Sequence, residues 1–322
     1  MVMNIIGRQR LAWLCVMMAC AAGCRAADGL SIDVGQFFKD DALLVAKHAE
    51  IEADRATMGL DVARNDAIAL NTDVLKFFTD RKEAANRESA KVTERHQIRQ
   101  DIQLAAIPFD KPTQGTKNLA QDAAAFVKAH DARVAAEAQI DLDLLNLYTS
   151  FVKSDVAGMT SNANSFFQDR HNWLQQRKQV VASVVALKKD VKFKPSVKPV
   201  VTKGGNLSAD TTTYLTDRAK WQQLEVTVLA DIANLRAALG TPDSLESIVN
   251  TFLTDRHAHF VTHVQLGLDI RNLRVDVGLK VADKPVKPLP AAKKGNVKPS
   301  KEDDAGPADA DLDDSLIDEG DK

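Results

Sequence analysis

Beyond residue 24 this 322-residue chain has no cysteine: Cys15, Cys20 and Cys24 are the full set. An internal disulfide framework in the body of the protein is excluded, and so is a thiolate metal site there. Aromatic residues make up 5% of the chain, and glycine (15) and proline (10) are sparse. That composition favours long helices over a sandwich or barrel. A basic excess is missing too. With a net charge of −2 the chain carries no footprint for nucleic acid, and no such partner is expected. No Gly-rich phosphate loop, nucleophile elbow or convincing triad stands in the sequence, so neither an enzyme nor an organic cofactor is expected.

Long apolar runs are absent save for one short one. Leu11–Ala22 follows Arg8 and Arg10 and is too short to span a bilayer comfortably. It has the form of a targeting segment and is set aside from fold reasoning. The run ends in Ala21-Ala22-Gly23-Cys24, which resembles the lipobox of bacterial lipoproteins. That resemblance implies a signal peptide over 1–23 and a Cys24 that is acylated and becomes the new N-terminus. It also gives purpose to a cysteine with no structural partner. Arg25, in place of an aspartate, implies the outer membrane, with the body periplasmic or surface-exposed. The alternative is ordinary secretory cleavage near Ala26 or Ala27 and a soluble secreted chain.

What the chain does contain is a repeat. KFFTDRK stands at Lys76–Lys82, SFFQDRH at Ser165–His171, TYLTDRA at Thr213–Ala219 and TFLTDRHAHF at Thr251–Phe260; Gln36–Ala42 and Ala125–Asp131 are weaker copies. Their leading residues are Phe37, Phe77, Phe126, Phe166, Tyr214 and Phe252. The steps alternate between short (Phe37 to Phe77, Phe126 to Phe166, Tyr214 to Phe252) and long (Phe77 to Phe126, Phe166 to Tyr214). The copies therefore pair up, and the pairs recur, the signature of a repeated architecture. Asp80, Asp169 and Asp255 are each followed three heptads later by Asp101, Asp190 and Asp276, and then by a Lys-Pro pair at Lys111, Lys198 or Lys284.

Three- and four-residue apolar spacing, as in Tyr214, Trp221, Val228, Ile232, Leu235 and Leu239, predicts packed helices. Asp66 is a predicted N-cap, Ser154-Asp155 takes the same place in the second unit, and Gly240-Thr241-Pro242 supplies a stop, a cap and a first helical position. Ser31 or Asp33 is expected to cap the first helix. The fold class is all-α: three antiparallel helical hairpins over 33–112, 113–199 and 200–283, forming an elongated six-helix bundle or short solenoid. Residues 24–32 form an anchor linker. In this reading the connections lie at the anchored end and the three turns point away from it. The stretch 284–322 is Lys- and Pro-rich and then acidic, with ten carboxylates from Glu302 onward, and is expected to be disordered.

Two constellations carry chemistry. Counting back through each turn puts Glu50 level with Arg81, Glu137 near Arg170 and Glu225 level with Arg256, predicting inter-helix pairs that fix register. Asp255, His259 and His263 lie one helical turn apart on one face, with His257 nearby, a spacing suited to a divalent metal. The function expected is that of a lipid-anchored cell-envelope protein with a structural, scaffolding or interaction role, working through a protein partner or self-association. The alternatives are a periplasmic ligand- or metal-binding bundle and a membrane-active amphipathic protein.

Overall fold

The computed structural model describes residues 29–280. The expected signal peptide, Cys24 and the tail lie outside them. The described chain is six long helices: α1 (Gly29–Arg64), α2 (Ala67–Asp101), α3 (Leu119–Val152), α4 (Val156–Asp190), α5 (Leu207–Ala238) and α6 (Pro242–Asp276). At about 1.5 Å per residue, each is roughly 50 Å long. Successive helices pair as α1–α2, α3–α4 and α5–α6, giving three antiparallel hairpins.

The caps explain the breaks. Asp66 accepts from the backbone N–H groups of Ile68 and Ala69, and Asp155 accepts from Gly158. Asn65 and Ser154 take the left-handed conformation just before them. Thr241 caps α6 without a side-chain bond, and Pro242 opens the helix. Each second helix ends alike, two positions past its last aspartate, with Gln103, Lys192 or Gly278 at positive φ. The next N–H reaches back to Arg99, Lys188 or Arg274, a closure that satisfies carbonyls left open at the helix end. Helix α1 already runs from Gly29, so Ser31 and Asp33 lie inside it rather than at its first position.

Calling the turn end of each hairpin its tip and the other end its base, the packing follows a cycle. The base of hairpin one (Leu30, Val34, Phe37, Ile98) shares a core with the tip half of hairpin two (Leu147, Met159, Phe166). The base of hairpin two (Ala123, Phe126, Leu187) shares one with the tip half of hairpin three (Leu235, Val249, Phe252). The base of hairpin three (Tyr214, Leu273) shares one with the tip half of hairpin one (Ile51, Met58, Phe77). The six repeated aromatics meet in the same order. Phe37 lies 6.4 Å from Phe166, Phe126 lies 4.9 Å from Phe252, and Tyr214 lies 5.7 Å from Phe77. A linear stack would leave the first and third units apart; here they touch, so the three hairpins close on one another. The bases consequently do not gather at one end opposite the turns. Each base sits beside the next unit's tip.

Closure dictates the connections. A chain leaving one base emerges beside the next hairpin's tip half and must travel down that hairpin to begin its first helix. The first connection does so along α4: the Gln175 amide brackets the backbone of Asp110 with two 3.1 Å bonds, and Gln179 brackets Thr113. Phe109 stacks on His171 at 4.2 Å, and Gly115 presses on Ala186, where an added Cβ would sit 2.5 Å from the alanine methyl. The second connection runs along α6, with Val197 on His257, Val200 on Gln265 and Thr202 on Asn272. Both are straps.

Candidate functional site: facing carboxyls in the hairpin seams

Each hairpin has a seam position that recurs with the heptad, the step that keeps one stripe of a helix against its partner. Acids face acids there. In hairpin one the facing residues are Asp33 and Asp101, Asp40 and Glu94, Asp54 and Asp80, and Asp61 and Asp73. Hairpin two has Asp122 facing Asp190 and Asp143 facing Asp169. Hairpin three has Asp210 facing Asp276, Asp217 facing Asp269, and Asp231 facing Asp255. Asp80, Asp169 and Asp255, with the aspartates three heptads after them, are thus one half of a repeated pattern. Its other half is Asp33 and Asp54, Asp122 and Asp143, Asp210 and Asp231, separated by the same three heptads.

Two buried like charges in contact are unstable, and the usual outcome is that one member keeps its proton. Burial, reinforced by Asp40 opposite, pushes Glu94 up to about 8. Burial also raises Asp143, Asp231, Asp269 and Asp276 to about 6, each with a facing aspartate adding to the effect. Asp33, Asp54, Asp73 and Asp190 are raised for the same two reasons. Asp54, Asp61, Glu94, Asp143, Asp231 and Asp269 each hold one buried carboxyl oxygen with no donor among the described residues. A proton on one carboxyl of the pair is the donor such an oxygen needs.

The hairpins differ in how they compensate the remaining charge. Hairpin one uses cations. Lys47 reaches Asp80 at 3.0 Å and Glu83 at 2.8 Å, Lys76 joins Asp54 to Asp80, and Arg87 binds Asp40 at 2.6 Å. Burial works against the charge on Asp40 and Asp80, yet hydrogen bonds hold both below the usual carboxylate range, from Glu94, Gln36 and Arg87 to Asp40 and from Lys76, Lys47 and Asp54 to Asp80. Hairpin one adds an amide, Gln36 donating to Asp40 at 2.5 Å, and amides also donate in hairpins two and three, Gln139 to Asp143 at 3.2 Å and Gln265 to Asp269 at 3.0 Å.

The predicted Glu and Arg residues sit beside this ladder. Glu50 binds Lys47 on its own helix at 2.7 Å, and the Arg81 guanidinium lies over the Phe77 ring at 5.5 Å. Glu137 is exposed, Arg170 and Glu225 are half-buried, and Arg256 is buried. The predicted metal ligands divide between two neighbours. Asp255 faces Asp231, whereas His259 stacks on the Trp221 indole at 5.2 Å and His263 lies 6.4 Å from the same ring. Among the described residues no three His, Cys, Asp or Glu side chains gather as a metal-ligand group.

No protein-family model, curated protein or solved structure matches this chain. The joints between hairpins are polar as well as apolar. Arg55 donates to the Tyr214 hydroxyl at 2.8 Å in a buried bond, Arg218 reaches Glu52, and Arg236 reaches Asp131. No helix among the described residues is long and apolar enough to cross a membrane.

Proposed function

We propose that this chain is a lipid-anchored cell-envelope protein, acylated at Cys24, that serves as a scaffold or interaction body and catalyses nothing. The observation that carries the reading is recurrence. Two acid pairs, three heptads apart, stand in all three seams. A chemical centre seldom needs three copies, whereas a device that sets register needs one per hairpin. The repeated three-hairpin body, an elongated six-helix assembly closed on itself, offers long helix faces as surface. Leu60 and Ile68 beside the first turn, and Val152 and Val156 beside the second, are exposed apolar residues suited to a protein partner. Cys24 precedes the first described helical residue by five positions, so an acyl chain there would hold the base of hairpin one close to the bilayer.

Proximity labelling in native membranes, run beside Cys24→Ala, tests the proposal. The expected result is a defined envelope partner and a membrane-bound chain, both lost in the variant. A variant that stays in the membrane fraction with the same neighbours refutes the anchor. The ligand-binding alternative, centred on Asp255, His259 and His263, is tested by Zn(II) titration of the intrinsic tryptophan fluorescence. A saturable change near stoichiometric metal that disappears in His259→Phe would establish it.

A further inference from the structure

The three seams can be compared rung by rung, because facing residues keep heptad register in each. The pairs Asp54 and Asp80, Asp143 and Asp169, and Asp231 and Asp255 stand at one level, and each hairpin answers its pair differently. In hairpin one the Lys76 ammonium, one turn before Asp80 on α2, lies 2.5 Å from Asp54 and 2.6 Å from Asp80. Lys47, one heptad before Asp54, also reaches Asp80. In hairpin two Gln139 donates to Asp143. Hairpin three keeps none of these donors at the matching positions. Thr251 stands in the place of Lys76, Leu224 in that of Lys47 and Thr227 in that of Gln139. The Thr227 hydroxyl donates to the Gln223 carbonyl of its own helix.

The rung nearer the turn differs as well. Asp61 faces Asp73 in hairpin one, and Asn162 donates to the Ser150 hydroxyl at 2.9 Å in hairpin two. The matching residues in hairpin three are Ala238 and Ile248, whose side chains have nothing to donate or accept. An open groove of about 460 Å³ lies here, a volume in the range of small-molecule sites. Asp231 and Thr251 line one end, Thr241 and Ser244 the other, and Ala238 and Ile248 the stretch between. From Asp231 to the turn is a distance of about 15 Å.

Asp231 reaches this groove although it is 7% exposed, and one of its carboxyl oxygens is buried with no donor among the described residues. Burial, reinforced by Asp255 opposite, pushes it up to about 6, the mark of a carboxyl short of a counter-charge. The nearest arginine on α5, Arg236, is engaged with Asp131 of hairpin two. The Thr251 hydroxyl donates to the Ser247 carbonyl, and its oxygen can still accept. Acceptors beside an apolar floor suit an ammonium on an alkyl stem, a group with three donors and no acceptor.

We propose that the groove beside the third turn binds a primary alkylammonium group, seated on the Asp231 and Asp255 pair as Lys76 is seated on the equivalent pair in hairpin one. Its stem lies over Ala238 and Ile248, and a polar group at the far end meets Thr241 and Ser244. The proton that the acid pair otherwise shares is released to solvent. A free diamine and a lysine side chain of another protein share this chemistry. The inference stands on the seam alone and is independent of the proposed anchor.

The test is calorimetric titration of the purified full-length chain at pH 8 with cadaverine, beside 1-pentanol and Nα-acetyl-lysine N-methylamide. Saturable binding of one amine per chain is expected, with no binding of the alcohol. Asp231→Asn should weaken it at least about tenfold, whereas Glu246→Gln, at an exposed acid near the same turn, should leave it unaltered. Thr251→Lys restores the internal ammonium of hairpin one. It should abolish binding while the urea midpoint stays at or above the parent's. Cadaverine binding more tightly than the lysine derivative assigns the site to free amines, and the reverse order assigns it to a protein lysine. No saturable amine binding, equal losses in Asp231→Asn and Glu246→Gln, or undiminished binding by Thr251→Lys overturns the proposal.

Discussion

Asp269→Asn isolates the energetics of a single acid pair. Asp269 is 1% exposed on α6, faces Asp217 on α5 with Asp210 one heptad away, and accepts one bond from Gln265. Burial and the facing aspartates raise it from 3.8 to about 6. A folded-state value above the unfolded one means the fold prefers the protonated acid. The associated stability is complete below about pH 4 and is lost as pH rises through 6. At about 1.4 kcal/mol per pH unit, the loss by pH 8 is on the order of 3 kcal/mol. Asparagine has the same shape, carries no proton to lose, and can donate to Asp217 at every pH. Urea unfolding followed by circular dichroism at pH 4.5 and pH 8 is the assay. The variant is expected to match the parent within about 1 kcal/mol in acid and to exceed it by about 2–3 kcal/mol at pH 8. An unchanged difference between the two pH values would mean that Asp269 is not protonated in the fold, and the reasoning fails.

Summed over the pairs, the parent should show the same sign above about pH 6.5, unfolding at lower urea as pH rises to 8.5 and the Glu94 and aspartate pairs lose their protons. His130 and His171, both held below the usual imidazole range chiefly by burial, work the other way at lower pH. Alanine at Phe37, Phe126 or Phe77 should cost about 3–5 kcal/mol each in the same assay. Near-equal values are expected, because each ring occupies an equivalent joint. Tyr214→Phe should cost about 1–2 kcal/mol by removing the hydroxyl that accepts from buried Arg55, with little change in packing. Gly115→Ala should lift the first strap from Ala186, raising amide exchange at Thr113 and Thr116 while costing about 1–3 kcal/mol.

Helix content, turn positions and the pairing of repeats were legible in the sequence because they depend on local signals. Asp66 caps α2 and Pro242 opens α6 where cap chemistry places them. The partners of the aromatic copies were not legible. Phe77 could meet any of three first-helix aromatics, and only long-range packing selects Tyr214 over Phe37 or Phe126. The acid ladder was half visible. The three-heptad spacing of Asp80 and Asp101 marks register between units, and Asp33 and Asp54 repeat it on the first helix, yet pattern reasoning matches opposite charges and so turns to Glu50 and Arg81. That two acids would face each other follows only once the heptad seam is known and one member is allowed to stay protonated. The straps were hidden for a simpler reason. Lys-Pro segments read as solvated loops, and their route follows from the closure of the body, which no local motif encodes.

Closure also fixes a number. An open array of repeats can gain or lose a unit in evolution or in the laboratory, since each unit needs only its neighbours. Here every base has one assigned tip, and the last base returns to the first tip. Deleting a hairpin would leave an aromatic such as Tyr214 or Phe126 without its counterpart, and inserting one would demand a wider curvature at every joint. The chain is in this respect a homotrimer written on one polypeptide. Its copy number is set by geometry, and each copy is free to diverge at its surface while the joints hold the others in place.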